Sequence, residues 1–159
     1  MLLKGCKMTV YENIIEILKK NKIKYEEFHH QPLISAKESA EARVGSMSES
    51  VKSLIFKTGM GKFILVLMRG DKRVDAKSLK LLEDTDDLHL ADAAEVEKIS
   101  GVKVGAVGPF GLKTKLKTYF YKGILENEYS WFSPGDNTVS VKIKSKDLLK
   151  MIENPIMFD

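Results

Sequence analysis

A single cysteine in 159 residues, Cys6, rules out a disulfide framework and leaves no set of thiolates to hold a metal. A reducing cytoplasm is the localisation this implies. The three histidines, His29, His30 and His89, form no HExxH and no pair at ligand spacing with a nearby carboxylate, and CxxC is missing. No metal and no other cofactor is therefore expected. The longest apolar run, Phe63 to Met68, falls far short of the roughly 20 residues a membrane span needs. The N-terminus lacks a signal-peptide h-region, so no membrane partner is expected either. GxSxG, the P-loop and GxGxxG are all missing, which disfavours serine hydrolase, nucleotide triphosphatase and dinucleotide-binding readings. No side chain stands out as a covalent nucleophile. No internal repeat, low-complexity tract or linker interrupts the chain.

What is present suits one compact domain over residues 1–159, with 43% hydrophobic residues to fill a core. Lysine and arginine total 26 against 22 acidic residues, a net charge of +4 that suits a polyanionic partner without demanding one. Thr9 and Glu12 form a capping box ahead of Val10, Ile14, Ile15, Ile17 and Leu18, so a helix is expected to about Asn21. Lys24 to Phe28 reads as an edge strand, His29 to Pro32 as a break, and Ser35 as the cap of a second helix ending at Gly45. Ser48 starts a brief helical turn. Leu54 to Phe56 and Phe63 to Met68, joined through Thr58-Gly-Met-Gly61, read as a central hairpin. Asp75 and Asp92 cap two further helices around a short strand at Leu88 to Leu90. Lys115 to Tyr121, Glu128 to Phe132 and Val139 to Ile143 read as strands, with Ser133 to Asn137 as a tight turn and Ser145 as the cap of a last helix. The expected class is α/β or α+β, with a mixed, largely antiparallel central sheet or partial barrel surrounded by helices.

Candidate chemistry centres on Gly105-Ala106-Val107-Gly108-Pro109-Phe110-Gly111, three glycines and a proline in seven residues. Glycine admits positive φ and close approach to main-chain N–H groups, and Pro109 stiffens the loop just past them. The loop either cradles an anion or simply turns a corner. Lys52, just before Leu54-Ile55-Phe56, either offers a desolvated charge to an oxyanion or phosphate or is a strand-end lysine with a snorkelling stem. His30 is either a ligand contact or a solvated loop residue. Lys113, Lys115, Lys117 and Lys122, with Tyr119 and Tyr121 between them, form either a strip for a nucleic-acid backbone or a solvated strand face.

Taken together and in order, four landmarks resemble the YbaK/EbsC family of aminoacyl-tRNA deacylases, related to the editing insertion domain of bacterial prolyl-tRNA synthetase. They are His30 to Pro32, Lys52 within Val51-Lys52-Ser53-Leu54-Ile55, Gly105 to Pro109, and Ser133-Pro134-Gly135-Asp136. Arg69-Gly70-Asp71 looks like a turn of the synthetase insertion domain. The resemblance runs from about Thr9 to Ile152 and implies that family's fold, without metal. It implies trans-acting hydrolysis of the ester of mischarged aminoacyl-tRNA, with tRNA for proline carrying alanine, cysteine or serine as substrate. Prolyl-tRNA synthetase is an optional partner. The substrate's own ribose hydroxyl would help to activate water. Lys52 and the main chain of Gly105, Ala106, Val107 and Gly108 take the catalytic roles by this resemblance; His30, Pro32, Ser53, Pro109, Ser133, Gly135 and Asp136 take the substrate-binding ones. Alanine-specific relatives tend to have histidine at Ser133, whereas cysteine-specific ones have a small polar turn closer to Ser133-Pro134-Gly135. The alternative function is a non-catalytic module using the same pocket for an amino acid, a nucleotide or a tRNA end.

Turnover is expected to survive chelators and thiol-blocking reagents. Loss of activity in EDTA, restored by zinc, would reveal a metal site.

Overall fold

The computed structural model describes residues 8–32 and 46–159. The helix expected from Ser35 to Gly45, and Cys6, lie outside the described residues. Helix α1 (Val10–Lys20) starts at the Thr9/Glu12 capping box and buries Ile14 and Leu18. Strand β1 (Glu26–His29) comes next, and a 3-10 turn at Met47–Glu49 stands where Ser48 suggested one. The hairpin β2 (Val51–Thr58) and β3 (Phe63–Arg69) pairs antiparallel, from Val51 opposite Arg69 to Lys57 opposite Phe63. Helix α2 (Ala76–Glu83) is capped by Asp75, β4 is Leu88–Leu90, and α3 (Ala93–Ser100) runs from the Asp92/Glu95 capping box to Gly101, whose φ of 84° ends it. Then come β5 (Lys117–Tyr121), a 3-10 stretch Lys122–Glu126, β6 (Tyr129–Phe132), β7 (Val139–Lys144), α4 (Ser145–Met151) and β8 (Ile156–Phe158).

The strands form two sheets, β4-β2-β3-β5-β8 and β1-β7-β6. The larger is mixed: β4-β2-β3 is antiparallel, while β3-β5 and β5-β8 are parallel. The smaller is antiparallel throughout, with β1 on the edge as expected. They meet at a parallel bridge between Ser50 and Trp131.

Alternation along the hairpin makes two cores, one on each face of the large sheet. Val51, Ile55, Leu65 and Leu67 face Phe132, Val141 and Ile143 of the small sheet, Ile14 and Leu18 of α1, and Leu148 of α4. Phe56, Ile64, Val66 and Met68 face Leu79 of α2, Tyr119 and Phe158.

Two local expectations change. Ser145 is the first residue of α4 and not its cap, which is Lys144; the Ser145 hydroxyl instead meets that of Ser130 in the interior at 2.7 Å. β8 and the 3-10 stretch after β5 carry no strong sequence signal. Of the four lysines of the expected strip, Lys113 is exposed with no ion pair among the described residues, and the other three are exposed beside carboxylates, as on a solvated face. Lys117 Nζ donates to Glu83 at 3.0 Å, Lys115 pairs with Glu153, Lys122 lies 3.6 Å from Asp159, and Tyr119 is fully buried.

Candidate functional site

β4 covers β2 only over Phe56–Thr58, and the Ala91 N–H to Ile55 O bond of 2.9 Å closes that ladder. At the other end of β2 the small sheet reaches the hairpin through the Ser50–Trp131 bridge. A cavity of about 500 Å³ opens there, lined in part by His30, Lys52, Ser53, Gly105, Val107 and Ser133. Its size is that of a small-ligand site. Its walls are apolar at Ile55, Val96 and Val139, and the exposed Met47, Leu90 and Val104 also border it.

Six of the twelve residues singled out in the sequence meet in this cavity. Lys52 is half-buried and makes no ion pair among the described residues; burial lowers its pKa from 10.5, Arg73 lowers it further, and Asp71 raises it in part. Ser53 is on the opposite face of β2, and its hydroxyl is buried without a hydrogen-bond partner. Such an orphan costs about 1–3 kcal/mol and calls for a partner that the described residues do not supply. Gly105 holds φ at 91°, the left-handed region that glycine enters most cheaply.

His30 is already engaged. Its Nδ1 is 2.7 Å from the Gln31 carbonyl, an acceptor only, so Nδ1 donates there, and Nε2 is paired with the Ser140 hydroxyl at 2.9 Å. A hydroxyl-imidazole pair on the cavity wall is something the sequence did not disclose, because β7 brings Ser140 beside a residue 110 positions away.

The other six lie elsewhere. Pro32 is exposed and away from the cavity lining. Ala106 is buried, its N–H donates to Lys103 O at 3.0 Å and its carbonyl accepts from Ser133 Oγ at 3.3 Å. That N–H is committed within its own turn. A Cβ on Gly108 would meet Ile14 Cδ1 at 2.8 Å and the Ser133 carbonyl at 2.9 Å, so this glycine packs between α1 and the second loop. Pro109 is buried on a separate, smaller depression beside Phe110 and Met151. Gly135 has φ 98° and abuts Val10 and the Tyr11 amide. Asp136 shapes its own turn, accepting from Thr138 N–H at 2.8 Å and Oγ1–H at 2.6 Å, which pulls its pKa below 3.8. Among the described residues, no group of three or more His, Cys, Asp or Glu could hold a metal ion, and no helix is long and apolar enough to cross a membrane.

Fold and cavity define an α+β domain whose site combines Lys52, a cation with no ion pair among the described residues, with serine hydroxyls and the His30 ring. Residues 30–151 match the aminoacyl-tRNA editing domain, and the chain belongs to that family. The proline–tRNA ligase of Caldicellulosiruptor bescii is 41% identical over 98 residues, which are 62% of this chain and 16% of the ligase. The chain thus spans about one-sixth of the ligases it matches. The prolyl-tRNA editing protein ProX of Acetoanaerobium sticklandii is 24% identical over 151 residues, 92% of each chain. A solved structure of a candidate trans-editing enzyme for prolyl tRNA synthetase superposes with a TM-score of 0.82 at 24% identity, covering 97% of this chain and 98% of the other.

Gly108→Val should lower stability by about 1–3 kcal/mol, because one of the atoms met is main chain and cannot move aside; unchanged urea unfolding would show that the loop yields freely. Lys52 carries a pH-dependent expectation. Between its lowered folded pKa and 10.5, the unfolded chain binds more protons at Lys52 than the native one, so this residue's effect on stability becomes less unfavourable as pH rises through that window. Parent and Lys52→Met should therefore converge towards pH 10.5 in favour of the parent, and a pH-independent difference would place Lys52 in solvent.

Proposed function

We propose that this chain removes wrongly attached amino acids from tRNA in trans, by hydrolysing the ester at the terminal ribose. tRNA for proline carrying alanine, cysteine or serine is the substrate class. Family membership and the ProX and ligase relatives support an editing role. The observation that carries the reading is the half-buried Lys52 ammonium, without an ion pair among the described residues, in one cavity with the positive-φ turn at Gly105.

Attack on an ester carbonyl moves negative charge onto its oxygen. A partly desolvated ammonium beside that oxygen stabilises the charge more than the neutral ground state, and one such donor typically supplies about 2.7–4 kcal/mol. Gly105 and Val107 are the loop residues left to offer main-chain groups, since the Ala106 N–H is engaged. Water is the nucleophile, oriented with help from the substrate's ribose hydroxyl. The apolar wall from Ile55 to Val107 accepts a small side chain, and one methylene more or less changes its fit by only about 1–3 kcal/mol. Related small amino acids are therefore processed together.

The 2.9 Å Ser140–His30 pair favours a second reading, in which Ser140 is a nucleophile activated by His30. Single-turnover deacylation separates the two. Lys52→Ala should slow release of the amino acid roughly tenfold or more, Lys52→Arg should not restore it fully because a planar fork replaces a point charge, and Ser140→Ala should retain turnover. Loss of turnover in Ser140→Ala, with an acyl-enzyme trapped in the parent, would establish the covalent route. A parent protein that binds mischarged tRNA and never releases the amino acid would make the chain a binding module.

A further inference from the structure

The outward face of the small sheet carries a combination that packing within the described residues does not explain. Register places Phe28 opposite Ser140, and Lys142 between Glu26 and Trp131; Lys144 is opposite Tyr129. Directly opposed residues project to the same side, so Phe28, Tyr129, Trp131, Lys142 and Lys144 share one face, while Ser130, Phe132, Val141 and Ile143 point into the core. Lys142 Nζ lies 4.6 Å from the Tyr129 ring centroid and 5.7 Å from that of Trp131, and Glu26 is 3.9 Å away. Lys144 is exposed and has no ion pair among the described residues. Phe28 is 37% exposed, its ring 5.9 Å from that of His30. The face runs into the site: His30, Trp131 and Ser140 belong to it and also line the cavity.

We propose that this sheet face is a stacking platform for the unpaired 3′ end of the RNA, which it leads into the cavity. The inference rests on the editing reading above and adds the surface that receives the polynucleotide. Interleaved aromatic and basic side chains on a sheet suit a single strand, because every base offers a π-face to a ring and every phosphate a charge to a lysine. A duplex, with its bases already stacked, gains little from such a face. The β5 region lacks this interleaving, since Tyr119, a ring between its lysines, is fully buried. Successive levels of the face are two residues apart, about 6.6–6.8 Å, so Tyr129 and Lys144 are one level farther from the cavity than Trp131 and Lys142.

The test uses a labelled single-stranded RNA oligonucleotide ending in CCA and a blunt RNA duplex, followed by anisotropy across a salt series. The parent should bind the single strand in preference to the duplex. Tyr129→Ala should weaken that binding about tenfold, and Lys144→Gln, whose side chain is exposed and outside the core, should reduce the slope of log K against log salt by about 0.7. Lys115→Gln should do neither. With mischarged tRNA, Tyr129→Ala and Lys144→Gln should raise KM and not lower kcat. Parent-like binding and KM in both variants, or preference of the parent for the duplex, would overturn the platform. A parent that binds the oligonucleotide through these residues but hydrolyses no mischarged tRNA would instead overturn the editing reading and leave the platform standing.

Discussion

The register of β2 against β3 is the constraint on which the two cores and the cavity depend. Pairing from Val51–Arg69 to Lys57–Phe63 sends Val51, Ile55, Leu65 and Leu67 to one core and Phe56, Ile64, Val66 and Met68 to the other. Because side chains alternate with a period of two, a slip of one residue would exchange these sets and move Lys52 and Ser53 to each other's faces. Both faces are buried, so neither exchanged set would meet a matching surface. At the end of the pairing, the Gly70 N–H donates to Ser50 O at 2.7 Å, and Ser50 in turn bridges to Trp131. The meeting of the two sheets, and with it the cavity, depends on the hairpin.

Helix α1 fixes the other side of the site. Ile14 lies where a Cβ on Gly108 or Gly111 would fall, Asn13 Nδ2 donates to Gly111 O at 2.9 Å, and Val10 and the Tyr11 amide abut Gly135. Ser133 Oγ then ties the two loops together by donating to Ala106 O. A loop that packs this closely on a helix has little freedom to rearrange.

Much of this architecture was legible because it is local. The Thr9/Glu12 and Asp92/Glu95 capping boxes, the Asp75 cap and the apolar hairpin each declare themselves within a few residues, and each stands where its signal placed it. What escaped was long-range. The parallel placement of β5 between β3 and β8, the pairing of its lysines with Glu83, Glu153 and Asp159, and the meeting of His30 with Ser140 all join distant segments. Ser145 misled for a related reason: a serine ahead of a helix reads as a cap, but this one has a buried partner in Ser130. Of the residues that line the cavity, Lys52 and Gly105 were singled out by residue type and neighbours, Ser53 only through the family resemblance. Sequence spacing could not separate Val107, which faces the cavity, from Gly108, which faces α1.

The charge left over in the cavity is set by residues beside it. Asp71 interacts favourably with Lys52, yet Arg69 holds its carboxylate through two hydrogen bonds of 2.8 and 3.0 Å and keeps its pKa below 3.8. Arg69 is itself anchored by Glu126 at 2.7 Å and the Gly123 carbonyl at 3.3 Å, with its side chain only 11% exposed. A planar guanidinium matches both carboxylate oxygens at once, which the single ammonium of Lys52 cannot do. The bidentate pair therefore holds Asp71, and Lys52 makes no ion pair among the described residues. A half-buried ammonium in that position is stabilised by any anion, or developing anion, that enters the cavity beside it, so the Arg69–Asp71 pair sets the electrostatic preference of a site it does not line.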